Sequence, residues 1–587
     1  MDVATGSDQA VRAADDHHAQ SNQNLLGRLD MRTIAIISGS FCLQPNQPSP
    51  DITMLTLTAV IVTAIRFAQD IRLDSVRPLS AYGWHFSTFF AILLPFFAAY
   101  RIFFAPHFSA NRHLPTVEQG PVLARLFKEP NSIDFLRWIE EIPNDGLIRF
   151  HGVLNGERLL ITTTEGTKVV HDGDTKDFHR PSAAKAILTR LTGGAIFAAE
   201  GREHTAQRKE MTPAFKHRHL KELYPTFWSK TVELVRSMQR HDASTPEKSV
   251  IEIDDWVSRG TLDAIALAGF GFDFNSIAQP GSELVRKYRT AFLPGKSAAR
   301  IRILANIVPI KLLFNLPMKR NRDAKACIQA IRSALYRVVQ KRQEESSIKK
   351  QSRQDILAVM LDSPLFKTNT NLIVSQCMAF LAAGHEASAL ALGWTLFELS
   401  NDHKRQQKLR DEIRANLPSP GSGLPIEASQ IDRLEYLEAV VQESLRKWGP
   451  VPRQTRISPH AMEVSGHIAP KNTPLVVSFY AMNRMQENWG PNAAEFVPER
   501  WLGSSQAKSL GGSKDRYCFS TFSHGARSCI GQRFAHYEVL VFLAGLVGSF
   551  KWSPTNGQDI VEADHDSTVM LKVKDGLHLA VEEVGGW

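Results

Sequence analysis

The run from Leu372 to Leu399 is apolar over the length of a long helix, with few polar positions to mark a solvent face. A helix that is hydrophobic all round is a buried one, so this segment reads as the centre of a core. Gln532 to Leu540 has helical apolar spacing, as does the segment around Glu443-Ser444-Leu445-Arg446. Gly146-Leu147-Ile148-Arg149-Phe150, Arg158-Leu159-Leu160-Ile161-Thr162 and Thr473-Pro474-Leu475-Val476-Val477-Ser478 are short and strand-like. A polar stretch from Lys341 to Arg353 separates helical segments, and Leu417 to Pro425 is a surface loop by its turn residues. There is no internal repeat. The pattern predicts a helix-rich domain with small sheets.

The pattern differs before residue 111. Residues 1–50 are polar and read as a disordered tail. Ile52 to Ala64 is apolar but short, whereas Phe86 to Phe104 approaches the roughly 20 residues of a bilayer-spanning helix. The polar start is unlike a cleavable signal peptide, whose apolar core comes sooner. Residues 51–110 therefore read as an uncleaved membrane anchor of one or two transmembrane segments, with 111–587 as one catalytic domain. Arg101 and Arg112 place that domain on the cytoplasmic side.

Composition narrows the class. A chain of 587 residues, 43% hydrophobic, can bury a substantial core. Its net charge of +9 is spread along the chain, which indicates a solvated surface and not nucleic-acid binding. Cys42, Cys327, Cys377, Cys518 and Cys529 are scattered and include no C-x-x-C pair, so neither a disulfide framework nor a zinc site is indicated. A reduced, cytosol-facing domain fits this usage.

The chemistry concentrates in Phe522-Ser523-His524-Gly525-Ala526-Arg527-Ser528-Cys529-Ile530-Gly531. Cys529 comes after a glycine-punctuated turn and precedes a helix, where the dipole and free N–H groups favour a thiolate. Gly525 and Gly531 permit a tight turn and close approach of a flat ligand. Arg527 is placed to meet an anionic group at its edge. These are the requirements of axial thiolate ligation of haem. The decapeptide matches all five fixed positions of F-x-x-G-x-R-x-C-x-G and resembles the haem-binding signature of the cytochrome P450 family.

Three further motifs, in order, carry the resemblance. Glu443-Ser444-Leu445-Arg446 puts two charges on one helix face, and Phe496-Val497-Pro498-Glu499-Arg500-Trp501 resembles the family's P-E-R motif, so that Glu443, Arg446 and Arg500 are expected to form a buried network. Ala383-Gly384-His385-Glu386-Ala387-Ser388 resembles the oxygen-binding motif, with Ala387 standing where threonine is expected. Gly201 to Arg208 resembles the helix that clamps the haem propionates, with His204 in the usual aromatic position.

The resemblance spans about Asn111 to Gly576. It implies the mainly α haem-thiolate fold with a smaller β-rich lobe. Cys529 is implied as axial ligand of the iron of haem b, with Phe522, Arg527, Arg208, His204 and Arg456 as cofactor-binding residues. Ala383 and Gly384 would form the oxygen pocket, and Glu386 and Ser388 would deliver protons. The implied reaction inserts one oxygen atom from O2 into an apolar small molecule. Only 587 − 529 = 58 residues lie beyond Cys529, too few for a flavin domain, so electrons from NADPH are expected through a separate NADPH–cytochrome P450 reductase at the endoplasmic reticulum membrane. The wording of the motifs is similar to that of filamentous-fungal microsomal members, which implies a terpenoid, polyketide or alkaloid substrate. Ile196, Phe197, Phe380, Val451, Val569 and Met570 are the implied pocket lining. Two alternatives stand beside this reading: an isomerase or dehydratase needing no external electrons, suggested by Ala387, and a non-catalytic membrane haem protein.

Overall fold

The computed structural model describes residues 79–173, 178–243, 249–292, 310–348, 355–555, 570–573 and 576–587, with isolated positions at 62, 63, 66, 70, 563 and 564. The expected polar tail and nearly all of the first apolar stretch lie outside these residues, as does Val569. The chain divides into two units at Ala98/Ala99. Helix α1, Leu79–Ala99, contains Pro95 and gives way to a wider turn over Tyr100–Phe104. The window Ala91–Phe108 is long and apolar enough to cross a membrane, and none of it is buried. Trp84, Ile92, Phe96 and Tyr100 are exposed large side chains within or just before it.

The site is positioned by elements drawn from most of the catalytic unit. Strands β1 (Leu147–His151) and β2 (Glu157–Ile161) form an antiparallel hairpin pinned by Leu147↔Ile161. Helices α2 (Thr164–Asp172), α3 (Gly201–Met211), α4 (Tyr224–Ala243), α5 (Ile253–Phe270), α6 (Glu283–Phe292), α7 (Lys319–Ile348), α8 (Thr370–Asn401) and α9 (Glu435–Lys447) make the bulk of the domain. Strands β3 (Arg453–Ile457) and β4 (Pro474–Ser478) complete a four-stranded sheet in the order β1-β2-β4-β3, in which β2 and β4 run parallel. Helix α10, Gln532–Ser549, comes directly after the cysteine loop. A second sheet places His578–Glu583 between Ser249–Glu252 and Phe550–Pro554.

The central helix is α8, 32 residues long, capped where the Asn369 side chain accepts the Leu372 N–H. As the sequence suggests, it is buried on nearly every side. Two glycines set how closely its neighbours pack. A side chain at Gly384 would come within 3.0 Å of Ile265 on α5, and one at Gly545 would overlap Thr231, where α10 meets α4. Absent side chains thus let backbones approach at the core. One sequence boundary is corrected: α7 continues through Lys341 to Ile348, because solvated polar side chains at helical spacing, such as Lys341 and Glu345, are compatible with an exposed helix.

Candidate active site

The cysteine loop is closed by the Cys529 N–H donating to the Phe522 carbonyl at 2.9 Å and the Ser528 N–H to Gly525 at 3.1 Å. Cys529 lies three residues before α10, whose N-cap is Gly531. Gly525 has φ +67°, and a Cβ there would overlap the His171 carbonyl of α2. The positive φ agrees with the expected tight turn, and the missing side chain lets the loop seat on α2. At Gly531 a side chain would meet no protein atom closer than 3.9 Å. Phe522 packs against the core.

The Cys529 side chain is accessible to a water-sized sphere although it stands deep among protein atoms. Its exposure is thus to an interior space. Burial pushes the thiol up, while the Gly531 N–H and the Arg208 guanidinium pull the other way. The packing of α8 opens locally: Ala382, Ala383, Gly384, Glu386 and Ala387 are half-exposed in the middle of an otherwise mostly buried helix.

Basic side chains converge beside the loop. The buried residues of α3 are His204, Gln207 and Met211, and Arg208 shares that face. Arg208 donates to the Ser528 carbonyl at 2.6 Å and to its hydroxyl at 3.1 Å, which fastens α3 to the residue before Cys529. Arg527 donates to the Ala199 carbonyl at 2.8 Å and to Glu200 at 2.9 Å. Arg456 arrives on β3, and Arg180 on the adjoining segment, where His179 and Ile457 exchange backbone hydrogen bonds.

The cluster is electrostatically unbalanced. Burial lowers Arg456 to about 9, helped by Arg180 and Arg527 and opposed by Glu200. Burial likewise lowers Arg527 to about 10, and Glu200 is the acid that opposes it. His204 is pushed down to about 3 by burial and by the four guanidinium groups of Arg527, Arg208, Arg180 and Arg456. One Arg180 Nη and the His204 Nδ1 are buried without a partner among the described residues. Buried cations are paired in stable proteins. An anionic group with two or more acceptors is what this arrangement lacks, and the two carboxylates of a haem fit it.

Glu386 is ion-paired with Lys572. The adjacent His385 is fully enclosed; its Nδ1 meets the Tyr288 hydroxyl of α6 at 2.8 Å, and burial lowers it to about 4. Ala387 is at the opening of α8, whereas Ser388 is buried. Phe380 packs on Phe215 with ring centres 5.4 Å apart, and Ile196, Phe197, Val451 and Met570 are buried or half-buried.

Behind the loop, Glu443 and Arg446 of α9 are wholly buried and joined by two 2.8 Å bonds. Arg446 also donates to the carbonyls of Asn483, Ala493 and Glu495 at 2.7–2.8 Å. Glu443 accepts from Arg500 at 3.0 Å, from the Trp501 indole at 2.9 Å and from the Val497 N–H at 2.8 Å. The expected three-residue network is thus present, with Trp501 and Asn483 added.

Sequence reasoning missed Arg180 and Glu200, which no motif marks. It also missed Gln376, which accepts from the Ile196 N–H at 3.1 Å and donates to Gln207 at 2.7 Å. A polar residue inside the apolar run of α8 was the available signal.

A family model for cytochrome P450 matches residues 153–580. The chain is 36% identical over 535 residues to the cytochrome P450 monooxygenase sphH of Aspergillus fumigatus, covering 87% of this chain and 96% of that one. It is 33% identical over 516 residues to the cytochrome P450 monooxygenase FSL4 of Gibberella zeae, covering 84% and 92%. The cytochrome P450 monooxygenase buaD of Petromyces alliaceus is 29% identical over 561 residues, covering 92% and 99%. The chain belongs to the cytochrome P450 family and is a monooxygenase of that class, which implies a haem cofactor and a redox partner.

Proposed function

We propose that this enzyme inserts one oxygen atom from O2 into an apolar fungal secondary metabolite of the terpenoid, polyketide or alkaloid class, with electrons from NADPH delivered by a separate reductase. The observation that carries the reading is the Cys529 thiol, open to an interior space, beside a buried cationic cluster that lacks an anion. When bound, haem supplies the oxygen chemistry, and thiolate ligation favours O–O cleavage.

The chain's own residues divide the remaining work. Cys529 holds the iron. Arg180, Arg208, His204, Arg456 and Arg527 hold the carboxylates at the haem edge, for which the planar guanidinium fork is suited. Phe522 shapes the loop. Ala383 and Gly384 would form the oxygen pocket, and Glu386, ion-paired with Lys572, would deliver protons together with Ser388. Ile196, Phe197, Val451 and Met570 give an apolar wall that orients substrate and excludes water. The apolar window Ala91–Phe108, none of which is buried, supports anchoring in the endoplasmic reticulum membrane, with the catalytic unit facing the cytosol.

Cys529→Ser tests the centre of the reading. It should abolish the reduced carbon-monoxide band of thiolate-ligated haem, and a variant that keeps the band would remove Cys529 as ligand. Deleting residues 1–110 should shift the protein from membranes toward the soluble fraction; full-length protein released by high salt and carbonate would refute the anchor. Ala387 at the opening favours one second reading, an electron-independent isomerase or dehydratase. Product formed by the wild type without NADPH would establish that reading.

A further inference from the structure

Between Leu381 and Ser388 the one buried side chain of α8 is His385; its neighbours Ala382, Ala383, Gly384, Glu386 and Ala387 are half-exposed. Ala382, Ala383 and Gly384 carry one side-chain carbon at most, so they give the surrounding helices few atoms to pack on. What holds this turn comes from behind it. The Tyr288 hydroxyl of α6 donates to the Leu381 carbonyl at 2.9 Å and meets the His385 Nδ1 at 2.8 Å. Tyr288 exposes none of its surface and His385 only 1%. The Thr261 hydroxyl of α5 reaches the His385 carbonyl at 2.9 Å, and Ile265, one turn further along α5, fills the space that a side chain at Gly384 would need.

A hydroxyl has one hydrogen. With that of Tyr288 on Leu381, the hydrogen between the two rings belongs to Nδ1 of a neutral imidazole. The order of donation is thus His385 Nδ1–H to the Tyr288 oxygen, and Tyr288 O–H to the Leu381 carbonyl. Leu381 and His385 stand one helical turn apart, so a single hydroxyl ties both ends of the turn that contains Ala383 and Gly384. Packing alone does not call for it. The Tyr288 ring already sits against Phe274, Phe292 and His385, with ring centres 5.6, 4.8 and 5.1 Å away. Phenylalanine would fill that place without a polar atom to satisfy in the core. A fully satisfied buried polar group fixes one geometry instead.

We propose that Tyr288 is a positioning residue for the oxygen chemistry: through His385 and Leu381, its hydroxyl fixes the place of the Ala383-Gly384 turn of α8. The inference rests on the haem-monooxygenase reading of this site. His385 and Thr261 act with Tyr288, from α8 itself and from α5. Being buried, none of the three touches substrate or cofactor; they act on the backbone of a turn whose own side chains are too small to hold it. Displacing a reacting group by about 1 Å costs on the order of a hundredfold in rate. A bracket on this turn therefore matters more to the reaction than the worth of one hydrogen bond to the fold.

The test uses the full-length, haem-loaded enzyme with carbon monoxide as the probe. Carbon monoxide bound at the haem occupies the oxygen pocket, and its C–O stretching band reports the surroundings without turnover. The wild type should give a narrow band. Tyr288→Phe keeps the ring and removes only the hydroxyl. It should broaden or shift the band and lower the product formed per NADPH consumed about threefold or more, with haem content at the wild-type level. His385→Leu should do the same, whereas His385→Asn, whose amide can replace Nδ1, should restore most of both. A pair that merely fills the core would lower the melting temperature in all three variants while leaving band and coupling unchanged, and that result overturns the proposal. Should Tyr288→Phe lose its haem, the two His385 variants decide: a band disturbed in His385→Leu and normal in His385→Asn supports the bracket, and equal bands overturn it. A wild type without the reduced carbon-monoxide band of thiolate-ligated haem overturns the haem reading, a failure distinct from an unchanged band in the variants.

Discussion

Two buried arginine clusters lie on either side of the cysteine loop, and they differ in one respect. In the network behind the loop, the five N–H donors of a guanidinium are all used by Arg446: two on Glu443 and three on backbone carbonyls. Glu443 in turn accepts five hydrogen bonds. In front, Arg180, Arg456 and Arg527 share one neighbouring acid, Glu200, Arg208 is bonded to Ser528, and buried polar atoms of Arg180 and His204 are left over. A complete network belongs to the fold itself, because removing one member strands a buried charge. An incomplete one is completed by a ligand.

The largest effect should come from breaking the complete side. Arg446→Ala leaves Glu443 with Arg500 as its one cationic partner and strands three buried carbonyls; it should cost about 3–5 kcal/mol, enough to leave little haem-loaded protein. Normal expression with full haem content would show that the network is not structural.

On the incomplete side, substitution should have the opposite sign for the empty protein. Arg180→Leu removes a buried, unsatisfied cation, so the haem-free chain should be no less stable. Haem retention should weaken by about 1.5–3 kcal/mol, the worth of a hydrogen bond to a charged group. Haem loss to excess apomyoglobin measures it, and an unchanged rate would place Arg180 outside the haem edge.

Acid sharpens the same contrast. Burial lowers His171 and His204 to about 3 and His385 to about 4. Below pH ~6.5 the unfolded chain takes up protons at these positions that the folded chain refuses. Stability should therefore fall as pH drops from about 6.5 to about 4, by up to ~1.4 kcal/mol per pH unit for each histidine. His151 is lowered to about 4 in the same way, so His204→Phe should flatten that slope by about one quarter in denaturation curves taken across this range. A slope unchanged by the substitution would show that His204 is charged in the fold.

The smallest effect concerns the opening of α8. Ala387→Thr should raise or preserve the product formed per NADPH consumed, because it supplies an alcohol at the opening. A fall in coupling would mean that the alanine is needed for substrate room.

The elements were legible where pattern and size agreed. The long apolar run became α8, and three short β-rich runs became strands within two residues of their expected ends. The end of α7 was not, because an exposed helix needs no apolar signal. Within the site, Cys529, Arg208 and the Glu443-Arg446 pair could be named because each stands in a spaced motif. Arg180 and Glu200 stand in none, and they meet the loop through the bridge between His179 and Ile457 and through Arg527.

By itself the sequence determined the family motifs, the buried central helix and the apolar N-terminal segment, because spacing and hydrophobicity are properties of the chain read in order. It also singled out Ala387 as a departure. Only the tertiary structure decided what each motif residue faces. It turned Ser388 inward toward Glu538, gave Gly525 to a backbone contact with His171, and tied Glu386 to Lys572. These depend on contacts between segments about 150 to 350 residues apart, two of them with α8. Whether a buried charge is satisfied is a sum over all its neighbours, and no single stretch of chain contains them.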